Sequence, residues 1–169
     1  AVVASPIAIV SIGVSAASAV GRHAFTAALL SGTSCLDRDG IGTLPDVELP
    51  LAGLKFPPND LRAALGQQLA ILQVTDEALA GCAPSAAART GVHVGMGTDP
   101  DAARFGVRWR ISRVAEQLGE SDEWIEAALE SVGPALDSAG VLGTMPNLVA
   151  NRVNSQYDLT GPSFTVSSE

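Results

Sequence analysis

The sequence predicts an α/β fold, in which helices cover a buried sheet, and three segments carry that prediction. Residues 7–14 are a short β-branched run with apolar residues on both faces, which is typical of a central strand. From Asn59 or Asp60 to Gly81, apolar residues recur every three to four positions, as they do along an amphipathic helix. Residues 90–98 alternate apolar and small side chains and are expected to form a second buried strand.

Capping residues and apolar spacing predict the other elements. The remaining predicted helices are 18–30, ended by Gly32; 99–118, begun at Asp99; 121–131, capped by Ser121; and 145–153. Residues 35–58 are rich in glycine, proline and aspartate, which indicates a long surface connection with at most one short strand. Residues 163–168 follow a Gly-Pro turn and are expected to form a last strand of alternating character.

Composition excludes several classes of protein. With 47% hydrophobic and 17% charged residues, the chain is too apolar to be disordered. Its net charge of −8 disfavours nucleic acid as a partner. The apolar stretch at 6–14 is too short to span a bilayer and lacks the features of a signal peptide, so we expect a soluble, cytoplasmic protein. Cys35 and Cys82 share no CxxC spacing and are expected to be free thiols.

No catalytic motif stands out among the reactive residues. The glycines of 91–97 do not have the spacing of a phosphate-binding loop, and Lys55 is the only lysine. His23 and His93 have no paired nucleophile or acid nearby in the sequence, so both are interpreted as packed histidines. The acidic residues of 122–130 recur at helical spacing and indicate a solvated face. We expect no metal and no cofactor.

The final strand suggests a larger fold. Its apolar alternation points into a core, and an unpaired strand edge of this kind needs a neighbour. We therefore expect residues 1–169 to be one half of a domain, whose other half supplies the neighbouring strands.

Three segments together resemble a known family. They are 6–13, with the sequence PIAIVSIG; 89–98, with RTGVHVGMGT; and 147–166, with NLVANRV leading to DLTGPSFTV. In order and spacing they are similar to the N-terminal half of a β-ketoacyl synthase, or ketosynthase, of polyketide and fatty-acid synthases. The GPSFTV piece is the most specific, and 105–140 matches only loosely.

The resemblance implies a thiolase-like fold, layered α/β/α/β/α. Residues 1–169 would be its N-terminal half, with a mixed five-stranded sheet flanked by helices, and the C-terminal half would be absent from this chain. The family dimerises through the strand that corresponds to Phe164, Thr165, Val166, Ser167 and Ser168. A homodimer, or a heterodimer with a ketosynthase, is therefore expected.

The resemblance also implies a chemistry. The family elongates acyl chains, carried on the phosphopantetheine of an acyl carrier protein, by decarboxylative Claisen condensation with one cysteine and two histidines. The nucleophile would come directly after Glu169, and the histidines would lie further on. Cys35, Cys82, His23 and His93 do not align with them. This chain by itself therefore lacks the catalytic residues, and no catalytic position is assigned in it.

Ser167-Ser168-Glu169 departs from the family pattern, because active synthases usually carry Asp, Ser or Thr, and a small residue there. A glutamate is similar instead to chain-length factors and to the ketosynthase-like partner domains of polyunsaturated fatty-acid synthases, which lack the cysteine and help to shape the acyl tunnel. Apolar character beside the dimer strand predicts that Leu142, Met145 and Phe164 approach that tunnel.

Three alternatives remain open from the sequence. One is an active β-ketoacyl synthase whose cysteine lies just past residue 169. Another is a thiolase-fold enzyme of different chemistry that uses coenzyme A in place of the carrier protein. The third is a non-catalytic scaffold or interaction domain, for which the acidic helix 122–130 would be the contact surface.

Overall fold

The chain folds into helices packed on small sheets, which confirms the α/β class. The computed structural model describes residues 7–82 and 89–167. Within them the elements are β1 (Ser15–Ala16), β2 (Ala19–Val20), α1 (Arg22–Ser31), α2 (Pro58–Arg62), α3 (Gly66–Ala80), β3 (Val92–Met96), α4 (Ala102–Leu118), α5 (Asp122–Val132), α6 (Ser138–Thr144), α7 (Leu148–Tyr157) and β4 (Ser163–Ser167). The expected five-stranded sheet is not present over these ranges, which contain two sheets of two strands each.

The larger sheet joins β3 to β4 in parallel, so both predicted strands are confirmed with slightly shorter bounds. The register runs from Val92 opposite Ser163 to Met96 opposite Ser167. Close approach at its start depends on Gly161, where a Cβ would lie 2.4 Å from the carbonyl oxygen of Thr90. Ser168 and Glu169 lie outside the described residues.

The prediction of a central strand at 7–14 is wrong. The side chains of Ile7 and Ile9 are 97% and 83% exposed, and the segment has no strand partner among the described residues. A strand needs a neighbour whose backbone groups pair with its own, and this segment packs on a helix instead: Gly13 lies so close to α3 that a Cβ there would be 1.8 Å from the Val74 carbonyl oxygen. Residues 11–13 therefore lie against the C-terminal half of α3, and the chain then turns through the β1–β2 hairpin into α1.

The single long helix expected from residue 59 to Gly81 is two helices, α2 and α3, separated by a break. The end of α6 packs into this break. The Leu65 N–H donates to the Gly143 carbonyl at 3.0 Å, and a Cβ on Gly143 would lie 2.4 Å from the Ala63 carbonyl oxygen. A contact between residues far apart in sequence thus overrides a continuous helical pattern.

The predicted helix ends are mostly confirmed. Gly32 adopts the left-handed conformation that ends α1, and the Ser121 hydroxyl accepts a hydrogen bond from the Trp124 N–H at 3.3 Å. Asp99 caps the turn before α4 and not the helix itself, since its carboxylate accepts from the Asp101 N–H. The predicted helix 145–153 is observed as α7, begun at Leu148, and α6 before it was not predicted.

The core lies around α7. One buried cluster joins Leu61, Leu72 and Val153, and a second joins Val94 to Val149 and Ala150. Helix α7 therefore connects α2 and α3 to the β3–β4 sheet. None of the helices in the described part of the chain is long and apolar enough to cross a membrane.

Candidate functional site

The β3–β4 sheet has one packed face and one open face, because side chains alternate along each strand. Val94 and Thr165 point toward α7: Val94 packs on Val149 and Ala150, and the Thr165 hydroxyl accepts a hydrogen bond from the Ala150 N–H at 3.3 Å. Helix α7 therefore covers this face of the sheet. Because side chains alternate along a strand, the residues on either side of Thr165 point to the opposite face.

The open face carries Phe164 and Val166, whose side chains are 51% and 53% exposed. The ring of His93 lies against Phe164, with centroids 4.4 Å apart. His93 is thus exposed on the open face, and the interpretation of it as a packed histidine is wrong, because β3 turns residue 93 away from α7. The other edge of β4 has no strand partner over the described residues.

Two of the proposed tunnel residues lie together at the end of α6. Leu142 and Met145 are 44% and 37% exposed, and each offers its backbone carbonyl to the side chain of Gln68 on α3. Phe164 lies on β4, on the face of the sheet that turns away from α7. The structure thus brings Leu142 and Met145 together at the end of α6, and Phe164 lies on a different element, β4.

Gln68 was missed by the sequence reasoning. Gln68 is fully buried. Its Nε2 is 2.6 Å from the Gly143 carbonyl oxygen, 3.3 Å from that of Met145 and 3.5 Å from that of Leu142. One signal would have found it: Gln68 lies three residues after Leu65 and four before Leu72, so it occupies the buried face of α3 as a polar residue.

The other reactive residues form no catalytic group. Cys35 and Cys82 are free thiols, as predicted, and Cys82 is exposed. His23 lies exposed on α1, so it too was wrongly interpreted as packed. No cluster of three or more potential metal ligands occurs within 7–82 and 89–167.

The main electrostatic effects lie beside α3, away from the open face. Hydrogen bonds from the backbone N–H groups of Arg22 at 2.5 Å and Val14 at 2.8 Å hold the pKa of the Glu77 carboxyl below its ordinary value. Burial, together with the neighbouring Asp76 carboxylate, raises the pKa of Tyr157 to about 12. Both interactions join elements of the fold, and neither forms an acid–base pair at the sheet.

Comparison with known proteins identifies the family. The model of the family described as "Beta-ketoacyl synthase, N-terminal domain" matches residues 4–169. The chain belongs to this family. It is also 29% identical over 137 residues to a polyunsaturated fatty acid synthase subunit of Thraustochytrium sp., a match that covers 78% of this chain. The chain spans only 7% of the length of that relative. The resemblance inferred from the three segments is therefore confirmed.

Proposed function

We propose that this chain is part of a ketosynthase-like domain that acts as a chain-length-factor-like partner in a polyunsaturated fatty-acid or polyketide synthase. In this role it pairs with an active ketosynthase, which condenses acyl chains carried by an acyl carrier protein. The chain contributes to the wall of the acyl tunnel and supplies no nucleophile of its own.

The observation that carries this proposal is the open face of the β3–β4 sheet. Phe164 and Val166 leave about half of their apolar surface in water, on a strand whose second edge is unpaired over the described residues. Apolar sheet faces and free strand edges favour association, because burial removes the apolar surface from water and pairing satisfies the backbone groups. A condensing-enzyme body that is covered by another body of the same kind explains both features.

The residues at 167–169 support the partner role over an active synthase. A glutamate at 169, next to the expected position of the nucleophile, would repel a thiolate and raise the pKa of the thiol. The Thraustochytrium relative is named as a polyunsaturated fatty acid synthase subunit, which is in keeping with a fatty-acid synthase as the parent assembly.

Within this proposal, the strand Phe164, Thr165, Val166 and Ser167, together with Ser168, lies at the dimer interface. Leu142, Met145 and Phe164 border the acyl tunnel. The three side chains are apolar and at least one third exposed, so they offer a surface to a hydrocarbon chain.

Acyl transfer separates the partner role from two of the alternatives, an active synthase and a scaffold. The intact synthase is incubated with a radiolabelled acyl thioester of its carrier protein, digested, and analysed for label on the peptide that contains Glu169 and the residue after it. We expect no label on that peptide, and a changed product length in Phe164→Ala. Label there would instead identify an active synthase. An unlabelled peptide with unchanged products in Phe164→Ala, and in Leu142→Ala with Met145→Ala, would identify a scaffold.

The association is tested separately by size. Sedimentation of the intact protein is expected to give a homodimer or a heterodimer with a ketosynthase, and Val166→Arg should weaken it, since a charge would be buried on the open face. A purely monomeric protein would contradict the proposed interface.

A further inference from the structure

Helix α6 has seven residues and is held at its end by a side chain from α3. The last carbonyl groups of a helix have no partner within the helix, so they need donors from elsewhere. The Gly143 carbonyl receives two, the Leu65 N–H at 3.0 Å and the Gln68 Nε2 at 2.6 Å. The Gln68 amide therefore caps α6 across 75 residues of sequence.

The orientation of this amide follows from its surroundings. Three carbonyl oxygens, those of Leu142, Gly143 and Met145, surround one end of it, and only the NH₂ group can donate to them. Its Oε1 is buried without a hydrogen-bond partner among the described residues. Because Gln68 is 0% exposed and an unpaired buried polar atom is costly, the hydrogen bonds of the donor side must offset that free-energy cost.

The carbonyls that Gln68 holds belong to the residues whose side chains are proposed to meet the acyl chain. At the other end of α6, the Asp137 side chain accepts from the Gly140 N–H at 2.7 Å. Residues 142–145 are held by backbone contacts, namely the Leu65 N–H on the Gly143 carbonyl, the Leu148 N–H on the Met145 carbonyl at 3.2 Å and the packing of Gly143 on Ala63, and by the Gln68 side chain. Of these contacts, the one from Gln68 is made by a side chain and can be removed by substitution. A displacement of this turn moves the side chains of Leu142 and Met145 together.

We propose that Gln68 is a positioning residue that sets the length of acyl chain accepted by the synthase, by fixing the turn that carries Leu142 and Met145. This inference rests on the proposed function, since it requires those two side chains to border the tunnel. Gln68 itself touches no substrate and acts through the backbone of α6.

The test is the product distribution of the intact synthase. Gln68→Met keeps the volume of the side chain and removes the donor. Gln68→Asn keeps the amide and shortens its reach, and it replaces the first variant if that variant does not fold. The matched control is Gln73→Met on the same helix, at a half-buried glutamine that borders a separate cavity beside Tyr157. Leu142→Ala with Met145→Ala reports on the tunnel wall directly.

We expect Gln68→Met to change the ratio of long to short products about fivefold, the ratio that the net free energy of one hydrogen bond supports. The change should go in the same direction as in the Leu142→Ala, Met145→Ala variant, while Gln73→Met keeps the original ratio. A merely structural role would lower the yield of all products equally. An altered ratio in the tunnel-wall variant, with the original ratio in Gln68→Met, overturns this inference and leaves the proposed function standing. Original ratios in every variant, and in Phe164→Ala as well, overturn both.

Discussion

The close contact at Gly143 makes a quantitative prediction about the junction of α2, α3 and α6. A Cβ on residue 143 would lie 2.4 Å from the Ala63 carbonyl oxygen and 2.6 Å from the Ala64 Cα. Both are main-chain atoms, so Gly143→Ala forces either α6 or the α2–α3 break to move. Overpacking of this kind costs about 1–3 kcal/mol, and the higher helix propensity of alanine offsets up to about 1 kcal/mol of it. Because both contacts are with main-chain atoms, which can shift little, we take the cost from the upper part of this range, about 2–3 kcal/mol, and expect a net loss of about 1–2 kcal/mol in local stability after the offset.

Gly106 on α4 provides the matched control. It is exposed, it lies inside a helix, and a Cβ there would meet no atom within 4 Å. The same substitution, Gly106→Ala, is therefore expected to stabilise α4, by up to about 1 kcal/mol, because only the propensity term remains. The two substitutions should therefore change local stability in opposite directions.

Hydrogen–deuterium exchange of the purified protein measures both effects locally. In Gly143→Ala, the amides of 61–68 and 138–147 should exchange about five- to thirtyfold faster, whereas those of α4 should be unaffected. In Gly106→Ala, the amides of α4 should exchange more slowly. Unchanged exchange at 61–68 in Gly143→Ala would show that the junction yields without cost, and would refute the close packing inferred for α6.

Three further predictions concern charge and capping. Glu77→Gln should destabilise the chain by about 1 kcal/mol at neutral pH, a value reduced for solvent exposure. Since the folded pKa of Glu77 is lowered, this difference should be present above its ordinary pKa of 4.5 and vanish as the pH falls through the folded value; urea unfolding with a pH-independent difference would contradict it. The chain has one tyrosine, so ultraviolet titration should give Tyr157 a pKa of about 12 in the folded chain and about 10 in urea. In folded Asp76→Asn the pKa of Tyr157 should lie between these two values, and an equal pKa in the two folded proteins would rule out the effect of Asp76. Ser121→Ala should remove the cap of α5 and cost about 1 kcal/mol, measured by exchange at the first turn of α5, where unaltered rates would count against the cap.

Elements with a local cause could be predicted. Ser121 and Gly32 act on the adjacent turn, and the alternation at 90–98 predicted β3, which forms because β4 pairs with it. The alternation of β4 was predictable too, but its apolar side chains were expected to point into a core, whereas Phe164 and Val166 lie on the face that α7 leaves open. Family membership was also predictable, because the three segments keep their order and spacing along the chain.

Features that depend on contacts between residues far apart in the sequence could not be predicted. The apolar pattern from residue 59 to Gly81 is continuous, and nothing near Leu65 indicates that α6 will pack there and separate two helices. The strand expected at 7–14 has the right composition, yet a strand exists only where another strand pairs with it, and Gly13 lies against α3 instead.

The amino-acid sequence by itself determined the helices that carry their own caps and the alternation of β3 and β4, because these depend on neighbours within a few positions. It also determined membership of the β-ketoacyl synthase family, because the family's motifs keep their order and spacing along the chain. Only the tertiary structure decided that Gln68 holds the end of α6, that Phe164 lies on the face of the sheet that α7 leaves open, and that residues 11–13 lie against α3. These are contacts between groups far apart in sequence, and their geometry is set by packing of the whole chain.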